Sequence, residues 1–257
     1  MLKIFKWTTL FSKKVVQYER VYENEMGEKM RLLPIRKLSR QSKRLALFLT
    51  FCAGYVDAYT FIVRGNTLVA GQTGNVVFLS VGIIQQNLED AETKILTLLS
   101  FMLGIFLLTV YKDKLGIIKK PVLSLVPLAL LSFIIGFVPL TVDNIYLVPP
   151  LSFCMGLVTT AFGEVSGIAY NNAFMTGNIK RTMLAFGDYI RTKHTPFLRE
   201  GLIFVSLLTS FVLGVIFSAY LTIFYHEKTI LGIPIMMILF YFGMIVPSGK
   251  KKVTEKS

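Results

Sequence analysis

Two copies of one short pattern recur along this chain: Phe51-Cys52-Ala53-Gly54 followed by Thr73-Gly74-Asn75, and Phe153-Cys154-Met155-Gly156 followed by Thr176-Gly177-Asn178. The leading phenylalanines are 102 residues apart and the threonines 103, so register holds to within one residue through two otherwise apolar stretches. That register predicts an internal duplication. Duplicated units in a membrane commonly form two-fold related halves with a shared site between them, the plan of secondary transporters and some channels.

The apolar context is general to the chain. Of 257 residues, 53% are hydrophobic and only 17% charged, too apolar for an ordinary soluble domain. The chain reads as an all-α polytopic membrane protein. Its net charge of +13 would suggest nucleic acid in a soluble protein, but the basic residues crowd into the two ends and two loops. That is the pattern of cytoplasmic flanks, so no nucleic-acid partner is expected. Three regions follow: a basic tail over 1–44, a membrane domain over 45–246 and a short basic tail over 247–257. The N-terminal tail lacks a signal-peptide core, and the expected partners of both tails are the bilayer and its anionic lipids. A weak amphipathic helix over Ile4–Phe11 and a solvated tail are both compatible with its sequence, and Met26 and Met30 leave its start open.

Six runs are long and apolar enough to cross: Leu45–Val63, Ile95–Tyr111, Val122–Leu140, Ile145–Val165, Gly201–Tyr225 and Ile230–Val246. The shortest reaches roughly 26 Å as a helix, close to the ~30 Å hydrocarbon core. The segments after the two Thr-Gly-Asn motifs differ in kind, because glycine and asparagine interrupt the apolar run before each. Val76–Ile84 gives about 14 Å of helix, half a membrane. If both segments dip and return, a cytoplasmic N-terminus puts Lys112, Lys114, Lys119 and Lys120 inside together with Arg191, Lys193 and Arg199. The acidic Glu89, Asp90 and Glu92 then fall outside. If both cross, giving eight spans, that bias is reversed. The expectation is six transmembrane helices plus two re-entrant half-helices, in an inverted three-plus-three repeat with repeat one at 45–140 and repeat two at 145–246.

The polar residues of interest lie at these interruptions. Thr-Gly-Asn before a helix has a local reading, in which Thr or Asn caps free amides and Gly turns the backbone. It has a functional reading too, since a helix N-terminus left inside a membrane presents amides to a solute. Gln72, Thr73, Gly74 and Asn75 in the first copy, with Thr176, Gly177 and Asn178 in the second, are therefore candidate substrate-binding residues, and Asn171 and Asn172 add hydrogen-bonding groups. Asp57 sits mid-span, where a carboxylate costs on the order of 2.5–3.5 kcal/mol and faces a partner or a cavity. It is a candidate both for a structural tie and for ion coupling. Its partner in the second copy is Thr159, so the acid is not duplicated. Lys180 and Arg181 follow the second motif within one turn. They lie deep if that segment re-enters, where Arg181 would pair with Asp57 or a substrate anion, and snorkel if it is a surface helix.

Enzyme-like features are lacking. His194 and His226 stand outside any metal-ligand spacing, Cys52 and Cys154 sit in apolar runs as packing residues, and no phosphate-binding loop or nucleophile elbow is present. No cofactor is expected and no enzyme activity is indicated.

With Gly54-Tyr55-Val56-Asp57-Ala58, Gln72-Thr73-Gly74-Asn75 and Met175-Thr176-Gly177-Asn178, the stretch from Leu45 to Val246 resembles the YoaK family of bacterial transmembrane proteins. The resemblance implies a multi-pass protein of the bacterial inner membrane and brings no substrate, cofactor or catalytic residue with it. The basic N-terminal tail looks like an addition to the common core. The function expected from the residues is a transporter or channel-like permease for a small solute. The alternative is a membrane scaffold that uses its basic tail to bind lipid or a partner. Substrate, coupling ion and oligomeric state are not set by the sequence.

Overall fold

The computed structural model describes residues 43–85, 91–111, 114, 121–166 and 168–245. Lys43 and Arg44, expected in the basic tail, begin the first helix. The tail up to Ser42, with the amphipathic segment expected at Ile4–Phe11, and the C-terminal tail lie outside the described residues. So do Glu89, Asp90, Lys112, Lys119 and Lys120.

The described chain is all-α apart from one short hairpin. Helices α1 (Lys43–Val63), α2 (Gln72–Ile84) and α3 (Ala91–Tyr111) come first. A 3-10 turn at Pro121–Ser124 leads into α4 (Leu125–Ile135), and another at Asn144–Tyr146 into α5 (Val148–Ala161). Then come α6 (Met175–Thr192), α7 (Thr195–Tyr225) and, after a 3-10 segment at His226–Leu231, α8 (Gly232–Ile245). Among the described residues four stretches are long and apolar enough to span a membrane: Lys43–Val63, Ala91–Tyr111, Asn144–Ala161 and Thr195–Gly243, the last containing α7 and most of α8. The segments Gln72–Ile84 and Pro121–Ile135 are apolar but shorter.

Two of the expected runs stop early. The helix expected to reach Val165 ends at Ala161, and Glu164–Val165 pairs with Ile168–Ala169 as a two-residue antiparallel hairpin. Gly163 and Ser166 explain the stop, the latter taking a left-handed φ of 53°. The run expected to reach Leu140 leaves the helix after Ile135, ahead of Pro139.

The surface is inverted relative to a water-soluble fold. Leu99, Met102, Phe106, Leu130, Phe133, Ile216, Ile223 and Leu239 are exposed, whereas Thr50, Thr60, Thr97, Ser152 and Asn172 are buried. That exposed belt suits lipid. The buried hydroxyls donate to the carbonyl one turn back: Thr50 to Ala46 at 2.8 Å, Thr60 to Val56 at 3.1 Å and Thr97 to Thr93 at 2.6 Å.

Two helix pairs form the centre, α1 with α7 and α3 with α5. α1 and α7 run in the same direction. Leu47 O accepts from Ser210 Oγ, Phe51 and Tyr55 meet Phe217, and Tyr59 donates to Glu227 O just past the end of α7. Each pair touches backbone to backbone through glycines. A Cβ on Gly54 would strike the Phe211 carbonyl oxygen and one on Gly214 that of Phe51. Likewise Gly104 faces the Phe153 carbonyl and Gly156 that of Phe101. Small residues at such crossings let membrane helices approach closely enough for van der Waals packing to hold them. At the far end of α1, buried Arg64 donates to the carbonyls of Val138 at 2.9 Å and Pro139 at 3.4 Å, beyond the C-terminus of α4.

Candidate functional site

After α1 the chain reverses at Gly65 and Asn66, both with left-handed φ (75° and 50°), which glycine adopts freely and asparagine tolerates. The reversal brings residues 68–71 back down beside Asp57. Asp57 is only 5% exposed, and its Oδ1 accepts the Ala70 amide at 2.7 Å, with the Val69 and Gly71 amides next to it. A carboxylate in a buried helix thus ties down the turn that enters α2.

Gln72 and Asn75 complete that corner. Gln72 Nε2 donates to Val69 O at 2.8 Å and to Ser152 Oγ on α5 at 2.9 Å, and Ser152 Oγ donates to the same Val69 carbonyl at 2.7 Å. Asn75 grips the backbone of Leu68 twice: Oδ1 accepts the Leu68 amide at 2.8 Å and Nδ2 donates to its carbonyl at 2.6 Å. The side-chain capping expected of this motif is absent, since α2 starts behind Gly71 with no side-chain cap. The asparagine reaches back seven residues to the turn instead.

The second corner repeats part of this pattern. Asn178 Nδ2 donates to Asn171 O, again seven residues back, at 2.8 Å. Thr159 Oγ1 donates to Asn172 Oδ1 at 2.9 Å, spanning the same 13 positions as Asp57 and Ala70. Asn171 Oδ1 accepts the Ala173 and Phe174 amides at 2.9 and 3.0 Å, which shapes the chain just before α6. α6 also starts without a side-chain cap, behind Phe174.

The two corners meet in one cavity of about 460 Å³. Gly71–Gly74 line it from one side and Ala173–Thr176 from the other, with Asp57, Phe61 and Ile62 of α1 and Phe211, Val215 and Ala219 of α7 completing the wall. Of the residues singled out from sequence, Asp57, Gln72, Thr73, Gly74 and Thr176 line this cavity. Asn75 and Asn178 stand behind it, buried as ties, and Gly177 lies one residue beyond the lining. Arg181 is elsewhere: its Nε pairs with Glu200 Oε1 at 2.7 Å on α7, and it does not meet Asp57. Lys180 is exposed. Sequence reasoning missed Ser152 and the α7 wall. Ser152 is the one polar residue between Leu151 and Phe153, and its contact with Gln72, 80 positions away, leaves no periodic signal.

A model of one protein family matches residues 45–244, covering the whole cavity and both corners. The chain belongs to the DUF1275 family. That family is described as a protein of unknown function. The chain is also 25% identical over 225 residues to the transmembrane protein YoaK (UPF0700) of Bacillus subtilis strain 168, an alignment spanning 82% of this chain and 96% of the relative. No solved structure matches the chain. The family assignment and the apolar helices together make this a membrane protein of the YoaK type.

Proposed function

We propose that the protein is a transporter for a small solute, built as an inverted duplication in the bacterial inner membrane with both termini in the cytoplasm. The observation that carries this reading is the single cavity lined jointly by the two Thr-Gly-Asn corners and by Asp57. Its volume falls within the roughly 300–1,000 Å³ of small-molecule sites.

Helix directions support the inverted arrangement. α5 starts from the end where α1 finishes, since Arg64 reaches the Val138 and Pro139 carbonyls there, so α5 runs opposite to α1. α3 meets α5 through the same reciprocal glycine contacts by which α1 meets its parallel partner α7. In the proposed arrangement α3 runs opposite to α1, and α2 between them enters and leaves by one face. In the same arrangement α6, 18 residues long, enters and leaves by the other face. Six crossings with two dipping segments result, and the four matched glycines support a two-fold relation between the halves.

Topology is testable in sealed cells with single cysteines at Gln85, Tyr146, Lys114 and Lys193, in a background with Cys52 and Cys154 replaced by alanine. Labelling from outside at 85 and 146, with 114 and 193 protected, is expected. Protection at 85 together with labelling at 114 would mean that α2 crosses and the halves are parallel. For function, purified protein is screened by thermal shift against amino acids, sugars, organic cations and organic anions, since a ligand of the folded state raises the melting temperature. At least one class is expected to stabilise wild type but not Asp57→Asn, and to accumulate in proteoliposomes. A bound solute that never accumulates would favour a non-transport role.

A further inference from the structure

A second concavity lies away from the Thr-Gly-Asn corners, between the start of α1, α4 and α8. It measures about 680 Å³, and apart from the hydroxyl of Tyr241 every lining side chain is apolar. Leu125 and Pro234 are buried at its floor. Val126, Leu130 and Phe133 form an exposed rim on α4, and Ile238 and Tyr241 an exposed rim on α8. The slot thus opens outward into the apolar belt that suits lipid, and its walls enclose an apolar chain where a flat helix face would only touch one.

The contacts of the three helices give the groove a direction. α4 runs with α1, since Arg64 at the end of α1 reaches the carbonyls just past the end of α4. α8 runs against α1: Gly232 at its start lies against the Tyr55 hydroxyl, and Phe240 near its end stacks on Phe48 at 4.2 Å. One end of the groove is therefore where α1 and α4 begin and α8 finishes. From Val122 to Phe133 the groove extends roughly 16 Å along α4, about the depth of one leaflet of a ~30 Å hydrocarbon core. Arg44 stands one turn before Phe48 on the same face of α1, exposed beside Lys43. Among the described residues neither cation pairs with a carboxylate, and no lining residue is acidic. The sequence leading into Pro121 is basic as well, with Lys119 and Lys120. Tyr241 falls at the same end, and tyrosines gather at the headgroup level of membranes.

We propose that the groove holds an acyl chain of an anionic phospholipid, with the lipid phosphate against Arg44. Length and wall chemistry fit the chain, and a guanidinium fits phosphate, which it grips with two parallel N–H donors. A zwitterionic lipid fills the same slot but brings a cation to an end that is already positive. The site is separate from the cavity at Asp57, so it stands whether or not that cavity carries a solute.

Native mass spectrometry of the purified full-length protein, titrated with dioleoyl phosphatidylglycerol or dioleoyl phosphatidylcholine, tests it. Wild type is expected to retain one phosphatidylglycerol per chain, with a preference of about tenfold over phosphatidylcholine. Arg44→Gln should lower phosphatidylglycerol retention about fivefold, the worth of roughly one basic side chain at a membrane surface, and leave phosphatidylcholine unchanged. Ala129→Trp fills the slot from its half-buried wall and should remove both lipids, whereas Leu99→Trp on the exposed face of α3 should remove neither. A bulky replacement can also disturb the fold, so the chain is located independently on wild type with a phosphatidylglycerol carrying a photoreactive diazirine in its acyl chain. Labelling is expected on α4 and α8 in preference to α3. Equal retention of the two lipids, an Arg44→Gln variant without effect, or labelling spread evenly over α3, α4 and α8 overturns the proposal. So does a dimer that Ala129→Trp splits, which would put a second copy of the chain in the groove.

Discussion

Alanine at Gly54, Gly104, Gly156 or Gly214 is expected to cost about 2 kcal/mol or more at each position, while the same substitution at Gly187 is neutral or stabilising by up to ~1 kcal/mol. The contrast lies in what a methyl group meets. At the first four it runs into a carbonyl oxygen of the facing helix, of Phe211, Phe153, Phe101 and Phe51 respectively. Main chain has no rotamer to yield, so the helices must separate and the dispersion contacts along the whole crossing weaken. At Gly187 on α6 nothing lies within 4 Å, and removing a helical glycine lowers the backbone entropy lost on folding. Melting temperature in detergent, with the monodisperse fraction on gel filtration as a second reading, checks the series. Gly104 and Gly156 lie against each other, so their double variant should cost less than the two singles added. If the halves share ancestry in the way proposed, losses at 54 and 156 should resemble each other, as should those at 104 and 214. Four small and unrelated effects would sink the view that these crossings hold the bundle together.

The helical class and the apolar stretches were legible because lipid permits few solutions: a segment that enters must satisfy its own backbone, and that demand is written locally as runs of apolar residues. The ends of those runs were less legible. Val165 continues an apolar pattern, yet the helix stops at Ala161, since Gly163 and Ser166 favour a turn that hydropathy alone does not weigh. The glycines at the crossings were visible only in part. Gly54 and Gly156 fall in the repeated motif, whereas Gly104 and Gly214 lie outside it and emerge only when α3 is set against α5 and α1 against α7.

The paired motifs mark the two corners that line the cavity, because each is a place where the chain turns between apolar runs. What the residues do there was not readable. Asn75 and Asn178 fit a capping pattern by spacing, but both serve to hold the turn behind them. Arg181 follows the second motif as closely as a site residue would. Its fate depends on α6 continuing along α7 until it reaches Glu200, a contact fixed by tertiary packing alone.

Asp57 is where the two roles of one side chain separate. Asp57→Ala is expected to lower stability by about 1–3 kcal/mol, because the Ala70 amide is buried and loses its acceptor. Asp57→Asn retains an oxygen in nearly the same position, so the corner stays tied and the loss should be under ~1 kcal/mol, reflecting only the weaker uncharged bond. Thr159, at the matching place in the second copy, holds its corner through a neutral hydroxyl, which argues that a charge is not needed for the tie. If the charge does not serve the fold, it serves the cavity that Asp57 lines. Asp57→Asn should therefore keep near-native abundance and melting temperature and lose the thermal response to solute entirely, while Asp57→Ala should lose both. Fluorescence-detected gel filtration of a fusion protein reads the first quantity and ligand-dependent melting the second. If Asn instead destabilises as much as Ala, the carboxylate is a structural tie, and the residue that recognises solute must be sought among the other polar lining residues, Thr73 and Thr176 first.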